Sequence, residues 1–141
     1  MMKKIISCCL TILFAVSAYT QSAVGIWKTI DDVDGTAKSH VEIYESNGKL
    51  EGKIVKLINA SSDICESCKG DKAGKPLTNM VILWDMEKQK GAKWDNGTIM
   101  DPHTGKEYKC KIEIIREDEL EVRGYIGISM FGRSQTWFRV D

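Results

Sequence analysis

The sequence has few of the residues from which most enzyme active sites are built. It contains only two histidines, His40 and His103, and neither stands beside a serine or cysteine in a recognisable nucleophile motif. Its carboxylates include no pair that resembles a glycosidase dyad, and Asp31, Asp32 and Asp34 lack the spacing and terminal glutamate of a calcium loop. These absences predict a protein that is not an enzyme, with no catalytic residues, no metal site and no cofactor.

The sequence also lacks an excess of charge of one sign. Its 20 basic and 20 acidic residues balance, and the two signs are interspersed along the chain. Nucleic acids and anionic membrane surfaces attract proteins that carry a basic patch or a large positive net charge. We therefore expect no nucleic-acid partner, and the charge gives no indication of an anionic membrane surface.

Long apolar runs are absent beyond the start of the chain. Residues 1–23 have the pattern of a cleaved signal peptide, in which two lysines precede an apolar stretch from Ile5 to Ala18. That stretch is shorter than the roughly 20 residues of a membrane span, and Cys8 and Cys9 precede most of it, which argues against a lipoprotein. We predict export to the periplasm or the medium, with no transmembrane segment after cleavage. The expected cleavage points follow Ala18, Thr20 or Ala23.

The remaining residues, 24–141, have the pattern of a single β domain. Apolar and polar residues alternate in about eight segments joined mostly by short turns such as Asn47-Gly48, and none resembles an amphipathic helix. Consecutive hairpins favour one up-and-down antiparallel β-barrel of about eight strands, because closure leaves no exposed edge. The predicted strands are 25–30, 38–45, 49–58, 80–86, 93–100, 107–116, 120–126 and 134–140.

Three cysteines remain after signal cleavage, which is an odd number for an oxidising compartment. Cys65 and Cys68 form a Cys-x-x-Cys motif in a polar loop, and no βαβ pattern surrounds them as in a dithiol oxidoreductase. We predict a local Cys65–Cys68 disulfide that stiffens the loop at the barrel mouth, with Cys110 as a buried free thiol. The alternatives are a redox-active dithiol, a disulfide to Cys110 and a metal site.

The two ends of the domain resemble the calycin superfamily, the lipocalins and their relatives. Gly25-Ile26-Trp27 lies on the first predicted strand and Arg139 on the last. The resemblance implies that Gly25, Trp27 and Arg139 form the structural seam of the barrel, with the tryptophan ring at its closed end. A guanidinium stacked on that ring contributes about 0.5–2 kcal/mol, depending on its burial.

The four tryptophans, Trp27, Trp84, Trp94 and Trp137, are many for so small a domain. Rings that line a barrel suit an apolar or planar ligand. The alternative is that they fill the interior, since narrow eight-stranded barrels are often packed solid by their own side chains. The candidate ligand-binding residues are Trp84, Trp94, Tyr108 and Trp137.

Several segments resemble a bacterial family of exported proteins, domain-of-unknown-function family 2147. Asn79 and Asn96 depart from the glycines expected in that pattern, but asparagine is the non-glycine residue that best tolerates positive φ. The resemblance implies an exported single domain with a calycin-like barrel, and no catalytic residue comes with it. The matching segments are 25–27, 47–50, 52–55, 101–102, 105–106, 120–127 and 132–137, together with Tyr108 and Arg139.

These observations predict an exported small β-barrel that binds a small apolar or amphiphilic ligand, or a partner, without catalysis. One alternative is a thiol-disulfide or redox-sensing protein that uses Cys65 and Cys68. Another is a structural, envelope-associated module whose barrel is filled. An open apolar mouth favours the first function, and a helix beginning at Cys65 with an exposed sulfur favours the second. A solid interior favours the third.

Overall fold

The computed structural model describes residues 21–140, so the predicted signal peptide lies outside the described residues except for residues 21–23. The described chain forms a closed antiparallel barrel in which each strand pairs with its neighbours in sequence and the first pairs with the last. The prediction of a single up-and-down barrel is confirmed. The strands are β1 (Gly25–Ile30), β2 (Ala37–Ser46), β3 (Lys49–Leu57), β4 (Val81–Lys88), β5 (Lys93–Met100), β6 (Glu107–Arg116), β7 (Glu119–Tyr125) and β8 (Gly132–Arg139).

The two ends of the barrel differ in the lengths of their loops. Tight turns, including Asn47-Gly48, and both ends of the described chain lie at one end, which we call the closed end. The connections at the other end, the open end, are the β1–β2 turn, the long β3–β4 loop, the β5–β6 turn and the β7–β8 loop. The β3–β4 loop contains the Cys-x-x-Cys motif and one short 3₁₀ turn, Gly70–Lys72.

Inward-facing side chains fill the barrel because apolar residues occupy alternate positions of each strand. The tightest packing involves glycines: a β-carbon at Gly52 would lie 3.1 Å from Leu83 and Val41, and one at Gly97 would overlap Met86. The largest fully buried side chains are Trp27, Trp137, Ile43, Ile54, Leu83, Met86, Ile112 and Leu120.

Asparagines stand at two positions with a glycine-like backbone conformation. Asn79 and Asn96 have φ values of 71° and 60°, in the left-handed region that glycine adopts most easily. Asn96 lies where the β5–β6 register shifts between Trp94 and Gly97. The prediction that asparagine can replace glycine at these two turns is therefore confirmed.

Candidate functional site

The closed end is sealed by Trp27 and Arg139. The Trp27 ring is fully buried, its Nε1 donates to the carbonyl of Ala23 at 2.8 Å, and the Arg139 guanidinium carbon lies 4.2 Å from the ring centroid. Arg139 also donates to the carbonyls of Ser22 and Val24, at 2.8 and 3.1 Å. These bonds fix the guanidinium over the indole face, so this end offers no entrance to the interior.

The four aromatic residues predicted to bind a ligand do not share one site. Trp84 pairs with Thr98 on the outer face of the barrel, where Lys72 Nζ lies 4.3 Å from its ring centroid. Trp94 is buried near the β4–β5 turn, and Lys88 Nζ covers its ring at 5.0 Å. The other two, Trp137 and Tyr108, face the interior.

The interior becomes accessible only towards the open end. Trp137 is 1 % exposed in the closed half of the barrel. Ile99 and Tyr108, which pair across β5 and β6, are only half-buried, as is Gly124 beside them. A β-carbon at Gly124 would lie 3.4 Å from Tyr108 and 3.5 Å from Ile99, which is ordinary van der Waals contact. At these three half-buried residues the interior meets the solvent of the open end. We call this position the mouth recess, and these residues form its apolar side.

A chain of hydrogen bonds forms the polar side of the same recess. Trp137 Nε1 donates to Gln135 Oε1 at 3.0 Å, and Gln135 Nε2 donates to Asp32 Oδ1 at 3.3 Å. The Arg133 guanidinium forms a salt bridge with the other Asp32 oxygen at 2.6 Å. Partial burial opposes ionisation of Asp32, but the hydrogen bonds from Gln135 and Arg133 outweigh it, so the pKa of this carboxyl lies below its usual value.

Two hydroxyl groups complete the inner wall of β1 and β2. The hydroxyl oxygens of Thr29 and Ser39 lie 2.9 Å apart, and the backbone N–H of Ser39 donates to Thr29 Oγ1 at 3.1 Å. Both side chains are buried, and each satisfies the hydrogen-bonding capacity of the other. The open half of the interior is therefore amphipathic, whereas the closed half is apolar.

The β3–β4 loop packs on the outside of the barrel, although its sequence is mostly polar. The predicted Cys65–Cys68 disulfide is present, with the two α-carbons 5.4 Å apart. Cys68 Sγ lies 3.5 Å from Met100 Sδ, and Cys65 Sγ lies 3.5 Å from the carbonyl oxygen of Pro102. Both cysteines are buried. The bridge thus belongs to a small apolar cluster between the loop and the β5–β6 turn.

Cys110 is a free thiol inside the barrel. Its side chain is fully buried on β6, opposite Gly97 of β5. Burial raises the pKa of this thiol, and the charge of Asp95 raises it further. Because the thiolate is the reactive form, burial and the raised pKa both oppose reaction of Cys110 in the folded protein.

Replacing both Cys65 and Cys68 by serine is expected to leave the barrel folded. The bridge closes only a few residues, so the loop-closure model gives it about 2 kcal/mol at most. Serine at these buried positions also weakens the cluster around Met100. Denaturant unfolding monitored by tryptophan fluorescence measures the loss, and complete unfolding of the double variant would contradict a peripheral role for the bridge.

Two surface depressions are lined by residues other than those of the mouth recess. One of about 140 Å³ lies against Trp94 and is lined mainly by polar and charged side chains of β5, β6 and β7. Another lies in the β3–β4 loop, between residues 57 and 63. Within residues 21–140 no group of three or more acidic, histidine or cysteine side chains could hold a metal ion. The same part of the chain contains no helix long and apolar enough to cross a bilayer.

Comparison with protein families identifies the group to which the barrel is related. Residues 25–139, the whole barrel from β1 to β8, match the family model DUF2147, described as "Uncharacterized protein conserved in bacteria". The chain belongs to this family. The DUF2147 segments recognised in the sequence include 132–137, which carry Arg133 and Gln135 of the mouth and the buried Trp137 beneath them.

The fold is shared with a solved structure described as "Protein HP1028 from the human pathogen Helicobacter pylori belongs to the lipocalin family". The two chains superpose with a TM-score of 0.77 at 21 % sequence identity, over 86 % of this chain and 85 % of that one. At this identity the similarity shows a lipocalin-like fold alone. No curated protein matches the chain.

Sequence reasoning did not select Asp32, Arg133 and Gln135 as site residues. Asp32 resembles a solvated turn residue, and the two β8 residues lie within an ordinary alternating strand. Only closure of the barrel brings the β1–β2 turn beside β8. The DUF2147 segment 132–137 could have indicated Arg133 and Gln135, because it places these two polar residues at inward positions of the last strand.

Proposed function

We propose that this DUF2147 protein is an exported, non-catalytic binding protein that receives a small amphiphilic molecule at the open end of its barrel. The observation that carries the proposal is the gradient of exposure along the interior. At the closed end the inward-facing side chains are buried and leave no space for a ligand. Half-buried inward side chains such as Tyr108 and Ile99 lie at the mouth.

The two sides of the recess suit the two parts of an amphiphile. Ile99, Tyr108 and the bare backbone of Gly124 accept an apolar chain, while Arg133 and Gln135 offer donors to a polar or anionic head group. Arg133 is 68 % exposed despite its bond to Asp32, so its remaining N–H groups are accessible. Because the interior beneath is filled, the ligand lies in the mouth and does not penetrate to Trp27.

Filling the recess tests this proposal. In Gly124→Val the β-carbon meets Tyr108 and Ile99 at ordinary contact distance, and φ at residue 124 is not in the left-handed region. We therefore expect the barrel to fold, with the two γ-methyl groups taking up space that the ligand needs. We expect its affinity for dodecanoate, measured by isothermal titration calorimetry, to fall at least about tenfold, which corresponds to the loss of roughly two buried methylene groups.

A matched control places the same kind of side chain outside the barrel. Thr136 faces outward on β8, opposite Glu121, so Thr136→Val should retain the affinity of the parent. Native mass spectrometry of protein purified from its own compartment would identify the mass that occupies the recess. Equal dodecanoate affinity in parent, G124V and T136V, or no binding to the parent, would contradict binding in the mouth.

Export is the second part of the proposal. Contacts of residues 22 and 23 at the closed end narrow the choice among the expected cleavage sites. The carbonyl of Ser22 accepts from Arg139, and Ala23 is fully buried with its carbonyl bound to Trp27. Cleavage after Ala18 or Thr20 retains these bonds, whereas cleavage after Ala23 removes both. We therefore expect N-terminal sequencing of the exported protein to begin at Tyr19 or Gln21, and an intact Met1 would contradict export by cleavage.

The filled closed half also favours a second candidate, a structural envelope module that acts through its surface. This candidate predicts no dodecanoate binding and no co-purifying mass. A redox function has less support. No helix begins at Cys65 in the described chain, and the exposed fractions of Cys65 and Cys68 are 0 % and 7 %, which leaves little access for a thiol partner.

A further inference from the structure

The β7–β8 loop exposes apolar side chains that the barrel does not use. Residues 124–132 contain no charged side chain, and the exposed fractions of four of them lie between 57 % and 74 %. Val33, at the tip of the neighbouring β1–β2 turn, is 77 % exposed. Single exposed apolar residues are ordinary, but a contiguous group marks an interaction site. The four loop residues are Ile126, Ile128, Met130 and Phe131.

We propose that this loop, together with Val33, docks the open end of the barrel on the surface of a phospholipid bilayer. The loop lies at the open end of the barrel and exposes its apolar side chains, which can insert among lipid head groups. A second copy of the chain would have to offer a concave apolar groove. The depressions seen in residues 21–140 are lined mainly by polar and charged residues, such as Lys93, Lys111 and Glu113, and do not fit it.

Several backbone polar groups of the loop already have hydrogen-bond partners within the protein, as an environment poor in water requires. A carbonyl or N–H group that loses water without gaining a partner is costly near the hydrocarbon. Arg123 donates to the carbonyls of Ser129 and Met130, at 2.7 and 3.4 Å, and the N–H of Phe131 donates to the carbonyl of Ile128 at 3.1 Å. The loop can therefore insert its side chains without leaving these groups unpaired.

The charges around the loop fit a phosphate-bearing surface of low net charge. Arg123 and Arg133 bracket the uncharged segment, and guanidinium groups pair well with phosphate oxygens. On the adjacent turn Asp31 and Asp34 oppose a strongly anionic surface, although Asp34 is paired with Lys38 at 3.1 Å. Apolar insertion is thus the main attractive contribution, and binding should occur on zwitterionic lipid and depend little on salt.

Co-sedimentation with sucrose-loaded phosphatidylcholine vesicles tests docking with the folded, exported protein. We expect Ile128→Ser/Phe131→Ser to lower the partition coefficient at least about tenfold, because two large apolar side chains are removed from the contact. The matched control is Ile115→Ser/Phe138→Ser, which removes the same residue types from exposed positions near the closed end. This control should bind like the parent.

A fluorescence measurement locates the contact even if the double variant is unstable. Cys65 and Cys68 are paired and Cys110 is buried, so Met130→Cys supplies a single accessible thiol for a bimane label. Vesicles should shift the emission of this label to the blue, and should not shift that of Ile115→Cys. Equal shifts at both sites, no binding of the parent, or loop-dependent self-association in sedimentation equilibrium would overturn the proposal.

Vesicle docking and dodecanoate binding are separable. Gly124→Val should bind vesicles like the parent, and Ile128→Ser/Phe131→Ser should retain the dodecanoate affinity of the mouth. Failure of either experiment therefore does not decide the other. Success of both would mean that the recess opens towards the bilayer surface.

Discussion

Replacing Trp27 by alanine is expected to lower the free energy of unfolding by about 3–5 kcal/mol. The indole is fully buried at the closed end, donates its N–H to Ala23 and lies under the Arg139 guanidinium. Its removal leaves a cavity that neighbouring strands cannot close without breaking the β1–β8 seam. A loss of this size is a large fraction of the stability of a small domain. Urea unfolding followed by circular dichroism measures it.

Arg139→Ala is expected to cost less than Trp27→Ala, by at least about 1 kcal/mol. It loses stacking, the packing of the side-chain stem and bonds to exposed carbonyls, but it opens no deep cavity. Arg139→Lys serves as the control, because it retains charge but not the planar stack, and should fall between Arg139→Ala and the parent. Equal small losses for Trp27→Ala and Arg139→Ala would contradict closure of the barrel by this pair.

The second large effect is expected at Gly105, where Gly105→Ala should lower stability by about 2–4 kcal/mol. This glycine has a φ of 72°, and a β-carbon on it would overlap the carbonyl oxygen of Ser67. The Cys-x-x-Cys segment lies directly on the glycine, so the loop must move to accommodate even a methyl group.

Gly35 provides a closely matched control. It ends an equivalent turn, with the same φ of 72° and the same bond from its N–H to the carbonyl of an aspartate four residues earlier. A β-carbon on Gly35 meets nothing within 4 Å. Gly35→Ala should therefore show only the cost of positive φ, about 1–2 kcal/mol. If the two alanine variants lose equal stability in thermal unfolding, the contact between the loop and Gly105 contributes nothing.

The strands could be predicted because their signal is local. Alternation of apolar residues and the turn residues between them follow from the geometry of the pleat, and β1, β5 and β6 begin and end at the predicted residues. The positive φ of Asn79 and Asn96 could be predicted for the same reason, since φ depends on the residue and on its immediate turn.

Contacts that form only when the barrel closes could not be predicted from the local sequence pattern. The bond between Asp32 and Arg133 joins residues 101 apart in sequence, and alternation gives no indication of it. Trp84 lies on the outer face because it pairs with Thr98, and the β3–β4 loop places Lys72 over its ring. A polar loop sequence predicts exposure, and the burial of Cys65 and Cys68 arises from the apolar surface of Met100 that meets them.

The pairing of β1 with β8 also has a consequence for the order of folding. Every other pair of neighbouring strands is consecutive in sequence, whereas this one joins Trp27 to Arg139. Bringing such distant residues together carries the largest loop-closure entropy in the molecule, and contacts of high sequence separation slow folding. The hairpins can form before the whole chain is available, but β1 keeps an unpaired edge until β8 is in place. Trp27 therefore reports the final step of folding, when Arg139 first covers its ring.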